Sequence, residues 1–519
     1  MDQIVQAKVA DGQFMGTVLV ARGDEILLSK GYGSANLEWQ VANQPSTKFR
    51  LGSVTKQFTA AAILLLEERG KLKVEDPVKK YLPDAPPAWD KITIFHLLTH
   101  TSGIPSFTGF PDYAPTEPFA TTPEKLVVRF RDKPLEFAPG EGWNYSNSGY
   151  VLLGHLIERI SGESYEKFVQ ENIFTPLGMK DSGYDSNTAV IPRRAAGYEP
   201  GPNGPQNTGF VHMSIPVAAG ALYSTTEDLL RWEQGLFGGK LLSAASLQKM
   251  TTPFKNNYAF GVGVETKEGH KLISHGGGIE GFVTYLGYYP EDRLTVVVLG
   301  NLTGGAPPAI GAALGAIAHG ETVTLPAERK AVRVAPEILQ KYVGTYELHP
   351  GFRCFITLEG EQLLTQLTGQ PKFPLFAETE AKFFLKVVDA QVEFMKDAQG
   401  KITHILHHQN GQELKWARIS AAIEAPPERK AITVSAEVLK QYTGTYPLSP
   451  AFAITVTLEG EQLMEQATGQ PKFPIFPEAE NKFFLKVVDA QIEFVRDANK
   501  AVTSLILHQG GHDQPAPKQ

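Results

Sequence analysis

Phe49-Arg50-Leu51-Gly52-Ser53-Val54-Thr55-Lys56-Gln57-Phe58-Thr59-Ala60-Ala61-Ala62-Ile63-Leu64-Leu65-Leu66-Glu67-Glu68-Arg69-Gly70 is the stretch around which the rest of the chain is organised. From Val54 onward, Phe58, Ala61, Ala62 and Leu65 recur at helical spacing. The run is apolar on most faces, which predicts a helix buried in a domain interior and closed by Gly70. Ser53 then stands at the helix N-terminus, with Lys56 three residues on and on the same face.

A hydroxyl at a helix start is usually a cap, and that is the plain reading of Ser53. Lys56 is harder to explain, because a buried ammonium is costly unless it is paired or functional. Desolvation lowers a lysine's pKa, and a neutral amine beside Ser53 is placed to take its proton. Exposed backbone N–H groups at the helix start favour an oxyanion. S-x-x-K alone is common by chance, so the partners decide.

Upstream, residues 3–10 suit a short helix ending near Gly12, and 14–21 and 25–32 read as a hairpin turning at Arg22-Gly23-Asp24. Downstream, a short helix over 92–98 leads to His100, which reads as a loop histidine bonded to backbone. Residues 101–123, rich in Pro, Gly, Thr and Phe, form a long loop of the kind that makes lids or pocket walls. Tyr145-Ser146-Asn147 lies in a turn-rich segment before a helix over 150–160 that Gly162 closes. A tyrosine and an amide two residues apart on a loop are able to point into one cleft.

Residues 195–215 read as a surface excursion, and Thr225-Thr226-Glu227-Asp228 opens a capped helix. Three strand-like runs follow, at 271–275, 281–289 and 294–299, and an apolar helix over 308–318 ends the first domain. His275-Gly276-Gly277-Gly278 reads as a glycine-rich strand exit that lets backbone approach a ligand.

Beyond a composition break at 322–330 lies an internal repeat with a constant offset of 100 positions. Glu328-Arg329-Lys330-Ala331 recurs at Glu428, Gly344-Thr345-Tyr346 at Gly444, and the run from Lys382 to Gln391 at 482–491. Each copy opens with a short helix and continues in seven or eight short β runs, the pattern of an antiparallel barrel or sandwich. Ala425-Pro426-Pro427 reads as a stiff linker. The expected organisation is a first domain over 1–322, repeats over 323–425 and 426–510, and a flexible tail over 511–519. The repeats carry no repeated Ser/His/Asp set and no metal spacing, since the His407-His408 pair recurs only in part. Phe383-Phe384 and Phe483-Phe484 read as barrel core.

Composition sets the bounds. The chain has 519 residues, 42% hydrophobic and 20% charged, as in ordinary globular proteins. A net charge of −7 with interspersed signs gives no footprint for nucleic acid. The single cysteine, Cys354, excludes an internal disulfide and reads as a packed thiol. No apolar run reaches membrane-spanning length. The start of the sequence lacks the basic and apolar regions of a signal peptide. This fits either a cytoplasmic protein or a periplasmic or secreted one whose leader is absent from this sequence.

In order, Ser53-Val54-Thr55-Lys56, Tyr145-Ser146-Asn147 and His275-Gly276-Gly277 resemble the three motifs of the penicillin-recognising serine hydrolases. The branch they resemble holds class C β-lactamases, DD-peptidases, D-aminopeptidases and related esterases. Leu97-Leu98-Thr99-His100-Thr101-Ser102-Gly103 and Pro139-Gly140-Glu141-Gly142-Trp143-Asn144 are typical of the same branch. The resemblance covers roughly residues 1–320, and the repeats resemble the lipocalin-like domains attached to such hydrolases. It implies an α/β domain, with an antiparallel sheet flanked by helices beside an all-helical region, followed by two antiparallel β-barrels.

The resemblance also implies roles. Ser53 would form an acyl-enzyme from a small ester, amide or peptide, with no cofactor. Lys56 and Tyr145 would share general-base duty for acylation, with Tyr145, its phenol acidified by Lys56, the favoured base, and Tyr145 would then protonate the leaving group. Asn147 would bond Lys56 or substrate, Gly276 and Gly277 would line the substrate, and the backbone N–H groups of Ser53 and Gly278 would form the oxyanion hole. β-Lactamases usually carry lysine where this chain has His275. A mostly neutral histidine there favours an esterase or D-peptidase over an efficient β-lactamase. The other expectation is a penicillin- or ligand-binding sensor that is acylated but turns over poorly.

Overall fold

The strands β1 (Gly16–Arg22) and β2 (Glu25–Tyr32) from the start of the chain join four from far downstream. These are β3 (Gly263–Lys267), β4 (His270–Ile279), β5 (Phe282–Tyr289) and β6 (Leu294–Gly300). Together they make one sheet of order β3-β4-β5-β6-β1-β2, antiparallel throughout. β1 and β6 run from Gly16↔Gly300 to Arg22↔Leu294 at its centre.

Period-two alternation sorts their side chains onto two faces. Val18, Val20, Val296 and Val298 share one core cluster with Val5 of α1 (Asp2–Ala10) and with Ile310 and Leu314 of a C-terminal helix, Ala306–Ala318. Leu19, Ala21, Val297 and Leu299 belong to the opposite cluster, which includes Phe58, Leu65 and the helical region. Both faces are covered, so these two strands read as continuous apolar runs. The edge strand β3, Gly-Val-Glu-Thr-Lys, is mostly solvent-facing and was not legible in the sequence.

The computed structural model describes every residue except 202–203, 268, 324–328, 350, 369, 387–389, 410–411, 424–430, 450–451, 461, 468–471, 486–489, 498–499, 510–511 and 519. Backbone proximity divides the chain into two units, Met1–Leu325 and Pro326–Gln519. The expected linker at 425–427 lies outside the described residues. Among the described residues no helix is long and apolar enough to cross a membrane.

In the second unit, the first repeat is a closed eight-stranded barrel, from Gly344–His349 to Gln412–Ser420. Its seam pairs Tyr346 with Arg418 and Glu347 with Ala417. Phe383 packs edge-on against Tyr342 and Phe394 in the core. Cys354 is buried with its Sγ 3.3 Å from Thr365 Oγ1, and burial pushes its thiol up to about 12.

The second repeat copies the first strand for strand, from Gly444–Ser449 to His512–Pro517. Among the described residues, however, no ladder joins those two end strands, which leaves a nearly closed barrel. The substitutions give the reason. The seam positions Glu347 and Ala417 of the first copy are Pro447 and Pro517 in the second, and neither proline has an N–H to donate. The expectation of a flexible tail over 511–519 is corrected here. Residues 512–517 pair with the preceding strand from Gln509↔His512 to Ser504↔Pro517, and Ala516 is fully buried. Two prolines and polar neighbours hid this strand from a pattern reading.

Candidate active site

Ser53 sits in a one-turn 3-10 segment, Gly52–Val54, that runs directly into α2 (Thr55–Glu68). Neither element has a side-chain cap, so the cap reading of Ser53 fails. A tight turn instead brings residues three apart into register. Lys56 Nζ lies 3.0 Å from Ser53 Oγ.

Lys56 is fully buried, and its Nζ also lies 2.9 Å from Asn147 Oδ1 and 2.9 Å from the Ala219 carbonyl. Burial drives its pKa well below the ordinary lysine value. The Tyr145 ring, with its centroid 4.8 Å from Nζ, favours a charge by about 2 kcal/mol, less than a burial effect that reaches several pKa units. Two of the three polar partners are amide oxygens that only accept. A neutral amine gives its two N–H groups to them and leaves its lone pair to the one partner able to donate, the Ser53 hydroxyl.

Asn147 is not on a loop, as the sequence suggested, but opens a helix, α3 (Asn147–Ser161), with Ser146 as its cap. Its amide nitrogen lies 3.1 Å from Thr108 Oγ1, which fixes the oxygen toward Lys56. Tyr145, just before the cap, interacts with Ser53 through its hydroxyl. Burial pushes its phenol up, opposed by that bond. This is the reverse of the expected acidification, because burial outweighs the bond to Ser53.

His100 has a left-handed backbone (φ 58°), and its Nδ1 accepts from Ser146 N–H at 3.1 Å. Its ring centroid lies 4.3 Å from that of Tyr145. It is the backbone-bonded loop histidine expected, and it props the Tyr145–Ser146 turn.

The third motif lies inside β4, not at a strand exit: His275, Gly276, Gly277 and Gly278 pair with Leu286, Tyr285, Thr284 and Val283. The glycine requirement comes from the Ser53 turn. A Cβ on Gly277 would fall 1.9 Å from the Leu51 carbonyl oxygen, and one on Gly52 (φ 53°) would fall 2.8 Å from Gly278 N. The backbones of Gly278 and the Ser53 turn are thus in direct apposition. His275 Nδ1 lies 2.5 Å from the Gly276 carbonyl and Nε2 lies 2.9 Å from Tyr258 Oη. Burial, then the nearby Lys56, lowers its pKa to about 4, with the Gly276 bond opposing. Part of the ring still reaches solvent, which tempers the burial effect.

Ser53, Asn147 and Gly278 open onto one cleft with Thr108 and Tyr113 from the 101–123 loop and Glu280 from the end of β4. The loop is a pocket wall, as expected. Tyr258, Thr108 and Glu280 escaped the sequence reading. Asn256-Asn257, both at positive φ, marked the turn that delivers Tyr258, but nothing local to it pointed at His275.

A serine hydroxyl 3.0 Å from a buried lysine amine, at the start of a helix between an antiparallel sheet and a helical region, is the arrangement of the serine hydrolases of the β-lactamase fold. The Beta-lactamase family pattern matches residues 1–320, and the chain belongs to that family. A domain of unknown function, DUF3471, matches twice, at 328–418 and 428–517. Penicillin-binding protein 4* of Bacillus subtilis (strain 168) is 33% identical over 428 residues, covering 77% of this chain and 94% of that protein. The structure of a penicillin binding protein from Bacillus halodurans superposes with a TM-score of 0.55 at 30% identity, covering 61% of this chain and 99% of that one. A D-stereospecific amidohydrolase from Streptomyces sp. gives a TM-score of 0.51 at 28% identity, covering 58% and 93%.

Proposed function

We propose that the chain hydrolyses small esters or amides, D-amino-acid derivatives among them, through an acyl-enzyme on Ser53. The observation that carries this is the Lys56 arrangement, a fully buried amine 3.0 Å from the serine hydroxyl. Lys56 takes the Ser53 proton as Oγ attacks the carbonyl carbon. The backbone N–H groups of Ser53 and Gly278 hold the resulting oxyanion. Tyr145, which keeps its proton in the resting site, gives it to the leaving group and regains one from the Lys56 ammonium. Water repeats the sequence against the acyl carbonyl. Asn147 holds Lys56 in place, and neutral His275 orients the strand that bears Gly276, Gly277 and Gly278. The D-amino-acid element draws support from the D-stereospecific amidohydrolase likeness.

The test is hydrolysis of p-nitrophenyl acetate and butyrate by wild type and Ser53→Ala, with intact-mass analysis. Turnover lost in the variant supports the proposal, and equal rates overturn it. The penicillin-binding relative supports a second reading, in which Ser53 is acylated and turnover is poor. A stable mass adduct with benzylpenicillin and no ester turnover would select that reading.

A further inference from the structure

We infer that Glu280 makes the cleft selective for acyl donors with a free amino group near the scissile carbonyl, and selective against donors with a carboxylate there. The inference rests on the Ser53 hydrolase reading and names its substrate class.

Glu280 stands two residues beyond Gly278, whose backbone abuts the nucleophile turn. Its position is therefore tied to that of Ser53, and the two line the same cleft with Thr108, Tyr113 and Asn147. From the facing loop, the half-buried Glu117 carboxyl lies near the Tyr113 hydroxyl and the Glu280 carboxyl. Burial, then the adjacent Glu280, raises the Glu117 pKa.

Among the described residues, no lysine or arginine forms an ion pair with either carboxylate. Arg129, the cation on the Tyr113 side, is engaged by Asp112 at 3.0 Å and by Thr116. Lys56 is buried beneath Ser53 and bonded to three other oxygens. His275, lowered to about 4, adds no positive charge near pH 7.

Two neighbouring carboxyls with no cation between them repel, and an ammonium placed against them relieves that repulsion. A substrate amine supplies that cation together with hydrogen-bond donors. A substrate carboxylate instead becomes a third negative group, in a cleft where the fixed cation usual in β-lactamases is replaced by histidine.

The experiment compares kcat/KM for D-alanine methyl ester and N-acetyl-D-alanine methyl ester by pH-stat, with p-nitrophenyl acetate as the uncharged reference. Wild type is expected to favour the free amine by at least about tenfold. Glu280→Gln should bring that ratio down by about fivefold or more, and Glu117→Gln by a smaller factor in the same direction. A wild-type ratio at or below one, or a ratio unmoved in both variants, overturns the inference while leaving the hydrolase reading intact. Absence of Ser53-dependent p-nitrophenyl acetate hydrolysis overturns the hydrolase reading and the inference with it. If Glu280→Gln does not fold, Glu117→Gln carries the same test.

Discussion

Tyr258 donates its hydroxyl to Nε2 of His275 at 2.9 Å, and the tautomer follows from the other side of the ring. Nδ1 faces the Gly276 carbonyl, which only accepts, so Nδ1 carries the proton and Nε2 is left to accept. The bond stabilises the neutral ring, reinforcing burial. Tyr258→Phe removes that bond and should raise the His275 pKa from about 4 toward its ordinary value. An NMR titration of the imidazole reads the shift directly. An unmoved titration would show that burial alone sets the ring.

Lys56 supplies the second prediction. Arginine keeps a cation at the site but offers no lone pair at any workable pH. Lys56→Arg should therefore cost about 10²–10⁴ in ester kcat, the range typical of a lost general base. Because burial lowers the Lys56 pKa, the wild-type rate should rise with pH and level off well below pH 10. Retention of more than a tenth of the activity in Lys56→Arg would remove Lys56 from the role of base.

A third test separates glycines that look alike in the sequence. Gly277 has no room for a methyl group, because the obstacle is the Leu51 backbone oxygen at 1.9 Å, held in turn by Thr284 Oγ1 at 2.7 Å. For Gly276 the nearest atom is 3.7 Å away. Gly277→Ala should cost about 2 kcal/mol or more of stability and push β4 off the Ser53 turn, whereas Gly276→Ala should stay within about 0.5 kcal/mol. Thermal melts of the two variants decide the matter.

These cases mark what a sequence reader can reach. Ser53 and Lys56 were legible because helical spacing alone puts them on one face, and the repeat because its offset never varies. The central strands were legible because apolar alternation fixes their faces. Asn147 as a helix start was missed because the apolar run begins only at Tyr150, while the cap at Ser146 acts four residues earlier. Tyr258, Glu117 and Glu280 act across turns and loops, where partners are set by tertiary placement and leave no periodic trace. The pairing of Gly277 with Leu51 likewise joins residues more than two hundred positions apart.

Glu233 gives the last prediction. It lies on the helix Thr226–Phe237, only 2% exposed, with Oε2 lacking a hydrogen-bond partner. Burial raises its pKa to about 8. The folded state thus binds a proton more tightly than the unfolded chain, whose glutamates titrate near 4.3. The sign follows from linkage. Stability from the neutral carboxyl is fully present below the unfolded value, falls as pH rises toward about 8, and is flat beyond it. At about 1.4 kcal/mol per pKa unit, the loss is on the order of a few kcal/mol across that window. Glu233→Gln removes the titration, so its stability should change less between pH 5 and pH 9 and exceed wild type at the alkaline end. Urea melts followed by tryptophan fluorescence suit the test, since Trp39, Trp89, Trp143 and Trp232 lie in the first unit and Trp416 alone lies in the second. Parallel pH dependences in the two proteins would mean that Glu233 reaches water or a partner once the chain is in solution.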